Sequence, residues 1–126
     1  MTQEPFDIEC LRRRNVPLQT LDAGERVFLE SDTGDCMYVV CQGAVDVISF
    51  GHVLDHVGPG GMLGDLALID GGPRSAAALA TEPTQVAVVD KSTFEALVRE
   101  EPGFAFALLR SMADRIRRIA DAGSQP

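Results

Sequence analysis

The chain has 126 residues and a formal net charge of −8, with 19 acidic and 11 basic side chains. This length suits one domain with one core, and no apolar run is long enough to span a bilayer or has the form of a signal peptide. We therefore expect a cytoplasmic protein without membrane insertion. Proteins that bind nucleic acids usually carry a basic face for the phosphates, so the acidic balance argues against a DNA or RNA partner.

Cysteine and histidine usage gives no indication of a metal site or of catalysis. An odd, sparse cysteine count fits free thiols in a reducing compartment. His52 and His56 lie near Asp55, but this spacing matches no standard zinc pattern. No general base is evident for a nucleophilic serine or cysteine. We therefore predict that the protein has no metal site and is not an enzyme. The three cysteines are Cys10, Cys36 and Cys41.

The first part of the chain predicts a short helix followed by an all-β region. A helix is expected from Phe6 to Arg14 within residues 1–15, with Phe6, Cys10 and Leu11 on its apolar side. Over residues 16–90, short β-rich runs recur between glycine-bearing turns, which is typical of a sandwich or barrel. The predicted strands are Val16–Leu21, Arg26–Leu29, Met37–Cys41, Ala44–Phe50, His52–Val57, Ser75–Thr81 and Gln85–Val89.

Residues 91–122 predict two helices. Ser92 is the expected N-cap of the first, with Glu95 completing a capping box, and this helix runs to about Glu100. Pro102 suits the first turn of the second helix, which is expected to end near Ala120. We predict one domain over residues 1–126, mainly β with flanking helices. The second helix has an apolar stripe formed by Phe104, Leu108, Leu109, Met112, Ile116 and Ile119.

Residues 58–76 contain a candidate ligand-binding loop. The glycines from Gly58 to Gly64 let backbone amides approach a ligand closely. Asp65 begins a possible helical turn whose N–H groups favour an anion, and Arg74 offers a planar fork suited to phosphate. The alternative from the residues alone is a surface turn in which Arg74 pairs with Asp65 or Asp70.

The order of these motifs resembles the cyclic nucleotide-binding domain of catabolite-activator-type regulators, kinase regulatory subunits and gated channels. The resemblance covers about residues 16–120 and implies a double-stranded β-helix, a jelly-roll-like β-roll, with a phosphate-binding cassette at residues 63–76. The matching motifs are Ala23-Gly24-Glu25-Arg26-Val27-Phe28, Asp32-Thr33-Gly34-Asp35-Cys36-Met37-Tyr38-Val39-Val40, Gly43-Ala44-Val45-Asp46-Val47, Gly64-Asp65-Leu66-Ala67-Leu68 and Pro73-Arg74-Ser75-Ala76.

The resemblance also implies a role for each matching residue. Arg74 would bind a cyclic phosphate, aided by the amides of Ser75 and Ala76 and the Ser75 hydroxyl. Gly64 and Asp65 would meet the ribose 2′-hydroxyl, and the last helix would cover the base. Arg115 is a candidate stacking residue on that helix. The implied ligand-binding residues are Gly64, Asp65, Leu66, Arg74, Ser75, Ala76, Val47 and Leu54.

The chain differs from the family pattern at Asp65, where the family normally has glutamate. Aspartate keeps the charge but is one methylene shorter, so the ribose contact lengthens or passes through water. The loss of a hydrogen bond to a charged group corresponds to an affinity lower by about ten- to a hundredfold. By resemblance to the family, serine rather than threonine at position 75 favours cAMP over cGMP as the ligand.

The expected function is a stand-alone sensor of cAMP or a related cyclic nucleotide, which is its regulatory ligand, with no other cofactor. Its output would pass through an effector protein or through self-association, including a homodimer formed by the C-terminal helix. Ile116 and Ile119 are the residues suited to that contact. The alternative is a degenerate fold that serves as an interaction or dimerisation module without binding nucleotide.

Overall fold

The structure, a computed structural model, describes the backbone of residues 7–124 and the side chains of residues 7–121. It contains eight strands and four helices within this range. In chain order they are α1 (Glu9–Arg13), β1 (Leu18–Leu21), β2 (Arg26–Phe28), β3 (Cys36–Gln42), β4 (Val45–Ser49), β5 (His52–Val57), β6 (Met62–Leu63), α2 (Asp65–Asp70), β7 (Ala77–Ala80), β8 (Thr84–Asp90), α3 (Lys91–Glu100) and α4 (Pro102–Ser124).

The strands form two four-stranded sheets in which every pair is antiparallel. The first sheet has the order β1-β8-β3-β6 and the second has the order β2-β7-β4-β5. The predicted class, mainly β with flanking helices, is confirmed. Strand β6 was not predicted, because two residues after a run of glycines are too few to show a β alternation. Its pairing with β3, which aligns Leu63 with Tyr38, is a tertiary contact.

Strand β3 separates the two parts of the core. Because successive side chains point to opposite faces of a strand, Met37 and Val39 pack towards the helices whereas Val40 packs between the sheets. The helix-side cluster includes Cys10 and Cys41, and burial raises the pKa of both thiols. Both cysteines therefore behave as small apolar residues of the core.

Helix boundaries differ from the sequence prediction at three places. Helix α1 begins at Glu9, and Phe6 lies outside the described residues. The N-cap of α3 is Asp90 rather than Ser92, because the extended Asp90 backbone lets its carboxylate accept from the Thr93 amide at 2.8 Å. Helix α4 continues to Ser124, beyond the end predicted near Ala120.

The two-residue turn between β4 and β5 stores local strain. Phe50 and Gly51 both have positive φ, +52° and +76°, as this tight hairpin turn requires, and the Phe50 side chain is 88% exposed. Because asparagine tolerates this conformation and no packing is lost, Phe50→Asn should raise the free energy of unfolding by about 1 kcal/mol. Urea denaturation checks this, with Phe106→Asn on α4 as the control at an exposed helical phenylalanine. An unchanged or lower midpoint for Phe50→Asn would contradict it.

Candidate functional site

One cavity of about 330 Å³ lies between the roll, α2 and α4. This volume falls in the range of sites for small organic ligands. Its walls are largely apolar, and charged groups reach it from α2, from the loop before β7, from β5 and from α4. All the residues that the sequence analysis named for ligand binding line this cavity, namely Val47, Leu54, Gly64, Asp65, Leu66, Arg74, Ser75 and Ala76. The tertiary structure thus brings together residues from β4, β5 and the segment 64–76.

Arg74 is 4% exposed and is held by backbone carbonyls rather than by a carboxylate. Its Nη1 donates to the Gly64 carbonyl at 2.8 Å and its Nη2 donates to the Cys36 carbonyl at 2.7 Å. Arg74 forms neither of the ion pairs that were the alternative prediction, with Asp65 or with Asp70. Asp70 instead accepts from the Gly72 amide at 2.8 Å. Neutral partners leave the positive charge of Arg74 available to an anion.

Two aromatic rings support the same guanidinium. Its Cζ lies 4.4 Å from the centroid of the Phe28 ring and 5.7 Å from that of Tyr38. Burial raises the pKa of Tyr38 to about 12, with a further contribution from its hydrogen bond to Cys36, so the phenol stays neutral. These cation–π contacts fix the plane of the guanidinium. The sequence analysis did not assign Phe28 or Tyr38 to the site, because strand alternation alone does not show which ring faces the cavity.

Two glycines make room for Arg74. At Gly34, an added Cβ would collide with Ala67 and would lie 3.0 Å from the Arg74 guanidinium. Gly64 has φ of +75°, and an added Cβ there would collide with Arg74 Nη1. The backbone of Arg74 is fixed as well, since its amide donates to the Asp32 carbonyl at 2.9 Å. Arg74 is therefore clamped along its whole length before any ligand arrives.

Asp65 is completely buried and is paired with Arg115 from α4. Arg115 Nη2 donates to Asp65 Oδ2 at 2.5 Å, and the Arg115 side chain is 29% exposed. The structure shows Arg115 in an ion pair between α4 and the start of α2, and its stacking on a base stays a prediction. Sequence could not reveal this pair, because fifty positions separate its members.

Two buried polar atoms at this site lack a hydrogen-bond partner among the described residues: Asp65 Oδ1 and Arg74 Nε. Buried polar groups in folded proteins are nearly always satisfied, and an unsatisfied one costs about 1–3 kcal/mol. One of these atoms is an acceptor and the other is a donor, and both residues line the same cavity. The cavity thus offers complementary groups for a ligand that carries both a hydroxyl and an anion.

A second ion pair lies one helical turn further along α4. Arg118 contacts Asp55 of β5 through two pairs of atoms, Nη1 to Oδ1 at 2.8 Å and Nη2 to Oδ2 at 3.2 Å. The hydrogen bond that Arg118 donates to Asp55 raises the pKa of Arg118 above its ordinary value. Both residues line the cavity, and the sequence analysis missed their pairing. The only signal was the three-residue spacing of Arg115 and Arg118, which places them on one helix face.

No three His, Cys, Asp or Glu side chains within residues 7–121 come together as a group that could hold a metal ion. No helix among the described residues is both long enough and apolar enough to cross a membrane.

The paired antiparallel sheets, the short helix α2 and the buried arginine that follows it define a β-roll domain of the jelly-roll type. The sequence matches the cyclic nucleotide-binding domain family over residues 18–101, which is more than half of the chain. The chain belongs to this family, as the ordered motifs indicated.

Known relatives include regulators from fungi and bacteria. The chain is 31% identical over 103 residues to the cAMP-dependent protein kinase regulatory subunit of Yarrowia lipolytica, covering 82% of this chain and 28% of that protein. It is 28% identical over 120 residues to the CRP-like cAMP-activated global transcriptional regulator of Mycobacterium tuberculosis, covering 91% of this chain and 53% of that protein.

The fold is shared with a solved bacterial regulator. The crystal structure of Thermus thermophilus catabolite activator protein superposes with a TM-score of 0.77 at 30% identity, covering 91% of this chain and 56% of that one. The chain spans between about a quarter and about half of the length of these relatives. Both curated relatives are named as regulatory proteins rather than as enzymes.

Proposed function

We propose that this domain senses cAMP or a closely related cyclic nucleotide. The observation that carries the proposal is the pair of unpartnered buried atoms, Arg74 Nε and Asp65 Oδ1, at one cavity. A cyclic phosphate supplies the anion that Arg74 lacks, and a ribose 2′-hydroxyl supplies the donor that Asp65 lacks. The relatives named for cAMP dependence or cAMP activation support the same ligand class.

In this proposal each part of the site has one task. The clamped guanidinium of Arg74 meets the phosphate at the inner end of the cavity, with the amides of Ser75 and Ala76 beside it. Asp65 holds the sugar through the oxygen that Arg115 leaves free. Val47 and Leu54 supply the apolar wall along which the rest of the nucleotide lies. The site is pre-organised, so little ordering cost opposes binding.

Calorimetric titration tests the proposal directly. Wild-type protein is titrated with cAMP and with cGMP, and with 5′-AMP as the control that has the same base and sugar but an open, more highly charged phosphate. Saturable heat at micromolar concentration with a cyclic nucleotide, and none with 5′-AMP, supports the sensor. If neither cyclic nucleotide gives heat at millimolar concentration, the sensor proposal is wrong.

Helix α4 is the element through which we propose that the signal leaves the domain. Four apolar side chains of this helix are exposed, and one of them, Ile119, also borders the cavity: Phe106 by 61%, Leu109 by 59%, Ile116 by 66% and Ile119 by 73%. Phe104 and Leu108, on the inner face of the same helix, are buried in the core. An amphipathic helix with a second apolar face suits a protein contact, either with an effector or with a second copy.

Self-association through this face makes a clear prediction. Light scattering should give the wild-type protein about twice its monomer mass of 13.5 kDa. Ile116→Glu should give the monomer mass, since a charge buried in such an interface weakens it strongly. Val98→Glu on α3, also at an exposed apolar position, is the control and should remain dimeric. A dimer that persists in Ile116→Glu would exclude this face, and a wild-type monomer would leave an effector protein as the route.

The degenerate-fold alternative shares this contact but not the ligand. It predicts the dimer, or binding to an effector, together with no heat of binding when a cyclic nucleotide is titrated. The two hypotheses are therefore separated by performing both measurements on the same preparation.

A further inference from the structure

Cys36 differs from the other two cysteines in its exposure and in its surroundings. All three thiols are free, but Cys10 and Cys41 are buried in the helix-side core, whereas Cys36 is half-buried. Because alternate side chains share a face of a strand, Cys36 at the start of β3 lies on the same face as Tyr38. Small solutes can therefore reach the Cys36 sulfur, while packing shields the other two.

Two side chains contact the thiol of Cys36. Arg74 Nη2 lies 3.8 Å from the Cys36 sulfur, in addition to its hydrogen bond to the Cys36 carbonyl, and Tyr38 forms a side-chain hydrogen bond with the same cysteine. Arg74 is only 4% exposed, and its Nε has no hydrogen-bond partner among the described residues. A guanidinium stabilises negative charge that develops on sulfur or on an oxygen attached to it. Cys36 thus lies against a buried cation that still lacks an acceptor.

We propose that Cys36 is a site of reversible oxidation by hydrogen peroxide or an alkyl hydroperoxide, and that the oxidised side chain competes with an anionic ligand for Arg74. In the oxidation, the Cys36 sulfur attacks one peroxide oxygen, so that an S–O bond forms as the O–O bond breaks. Sulfur gives up two electrons, the peroxide is reduced to water or an alcohol, and the thiol proton goes to the departing oxygen. The product is a sulfenic acid, which an excess of another thiol reduces back to cysteine.

The added oxygen acts on the nucleotide site through Arg74. It is a hydrogen-bond acceptor attached to a sulfur that already lies 3.8 Å from Arg74 Nη2. The guanidinium then has an acceptor within the protein, and the phosphate of a cyclic nucleotide has to displace it. This second step rests on the proposed function, in which Arg74 binds the phosphate. Because one hydrogen bond to a charged group corresponds to about tenfold in affinity, oxidation should weaken cyclic nucleotide binding by about tenfold.

Labelling of the sulfenic acid tests the modification site without any nucleotide. The full chain is treated with hydrogen peroxide in the presence of dimedone, which reacts with sulfenic acids, and the labelled residues are located by mass spectrometry. Chymotrypsin cleaves after Tyr38 and so separates Cys36 from Cys41. The label should appear on Cys36, with the buried Cys10 and Cys41 of the same molecule as internal controls. Absence of label from Cys36, or equal labelling of the three cysteines, would overturn the proposal.

Calorimetric titration with cAMP and with cGMP measures the effect on the nucleotide site. Reduced protein, peroxide-treated protein and peroxide-treated protein that is then incubated with dithiothreitol are compared, for wild type and for Cys36→Ser. Wild type should lose affinity by about tenfold on oxidation and regain it on reduction. Serine has a similar size but no sulfur to oxidise, so the affinity of Cys36→Ser should be the same before and after peroxide.

The titrations and the labelling separate the possible failures. An equal loss of affinity in Cys36→Ser, or an unchanged affinity in wild-type protein that is labelled at Cys36, overturns the competition for Arg74. If reduced wild-type protein binds neither cyclic nucleotide, the proposed function and the competition both fail, whereas a label confined to Cys36 still supports the modification site. Thermal unfolding of each sample shows that a loss of affinity is not a loss of fold.

Discussion

Replacement of Arg74 by alanine should lower the affinity for a cyclic nucleotide by at least about a hundredfold. Arg74 is a buried cation of the cavity. Its Nη groups are held by backbone carbonyls, whereas its Nε has no hydrogen-bond partner among the described residues. A hydrogen bond to a charged group contributes about 1.5–3 kcal/mol, so the loss of a two-bond contact with the phosphate exceeds 3 kcal/mol. Calorimetric titration with cAMP measures the loss, and the midpoint of urea unfolding shows whether the variant is folded.

A second variant and a control make this result specific. Arg74→Lys keeps the charge but loses the planar fork and the stacking on Phe28, so it should bind more weakly than wild type and more tightly than Arg74→Ala. Arg99→Ala, on the exposed surface of α3, should bind like the wild type. Wild-type affinity in both folded Arg74 variants would remove Arg74 from the site and with it the proposed mode of binding.

Replacement of Arg115 by glutamine should destabilise the fold by about 2–3 kcal/mol. The change leaves Asp65 fully buried without its cation, and an uncompensated buried charge is costly. The effect falls below that of a completely buried pair because Arg115 is 29% exposed. Urea denaturation of Arg115→Gln, Asp65→Asn and the double variant forms a thermodynamic cycle. In the double variant neither charge of this pair remains. Its loss of stability should therefore be smaller than the sum of the two single losses by at least about 1 kcal/mol.

The neighbouring arginine of α4 provides the matched control for this cycle. Arg118→Gln breaks a pair with Asp55 whose side chains are both substantially exposed, so it should cost no more than about 1 kcal/mol. Equal losses for Arg115→Gln and Arg118→Gln, or single effects at Arg115 and Asp65 that simply add, would show that burial of Asp65 does not control the energy of this contact.

The amino-acid sequence by itself determined the order of the elements and the local chemistry of the loop. Alternation along β3 and β4, glycines in the turns and the change of period after residue 90 are local signals, and they predicted seven of the eight strands and the start of α4 at Pro102. The segment 64–76 likewise carries its own glycines, carboxylate and arginine within one short stretch. Local patterns were less reliable at helix ends, where Asp90 rather than Ser92 made the capping contact.

Only the tertiary structure decided which partners meet these residues. Arg74 is oriented by carbonyls at Gly64 and Cys36 and by the rings of Phe28 and Tyr38. Asp65 meets α4 instead of Arg74, and Asp55 meets Arg118 across 63 positions. Such contacts join distant segments, and charged side chains can pair with any opposite charge that packing brings within reach. The spacing of residues along the chain therefore specifies the groups that a site contains, whereas the packing of α4 on the roll specifies which of them remain available to a ligand.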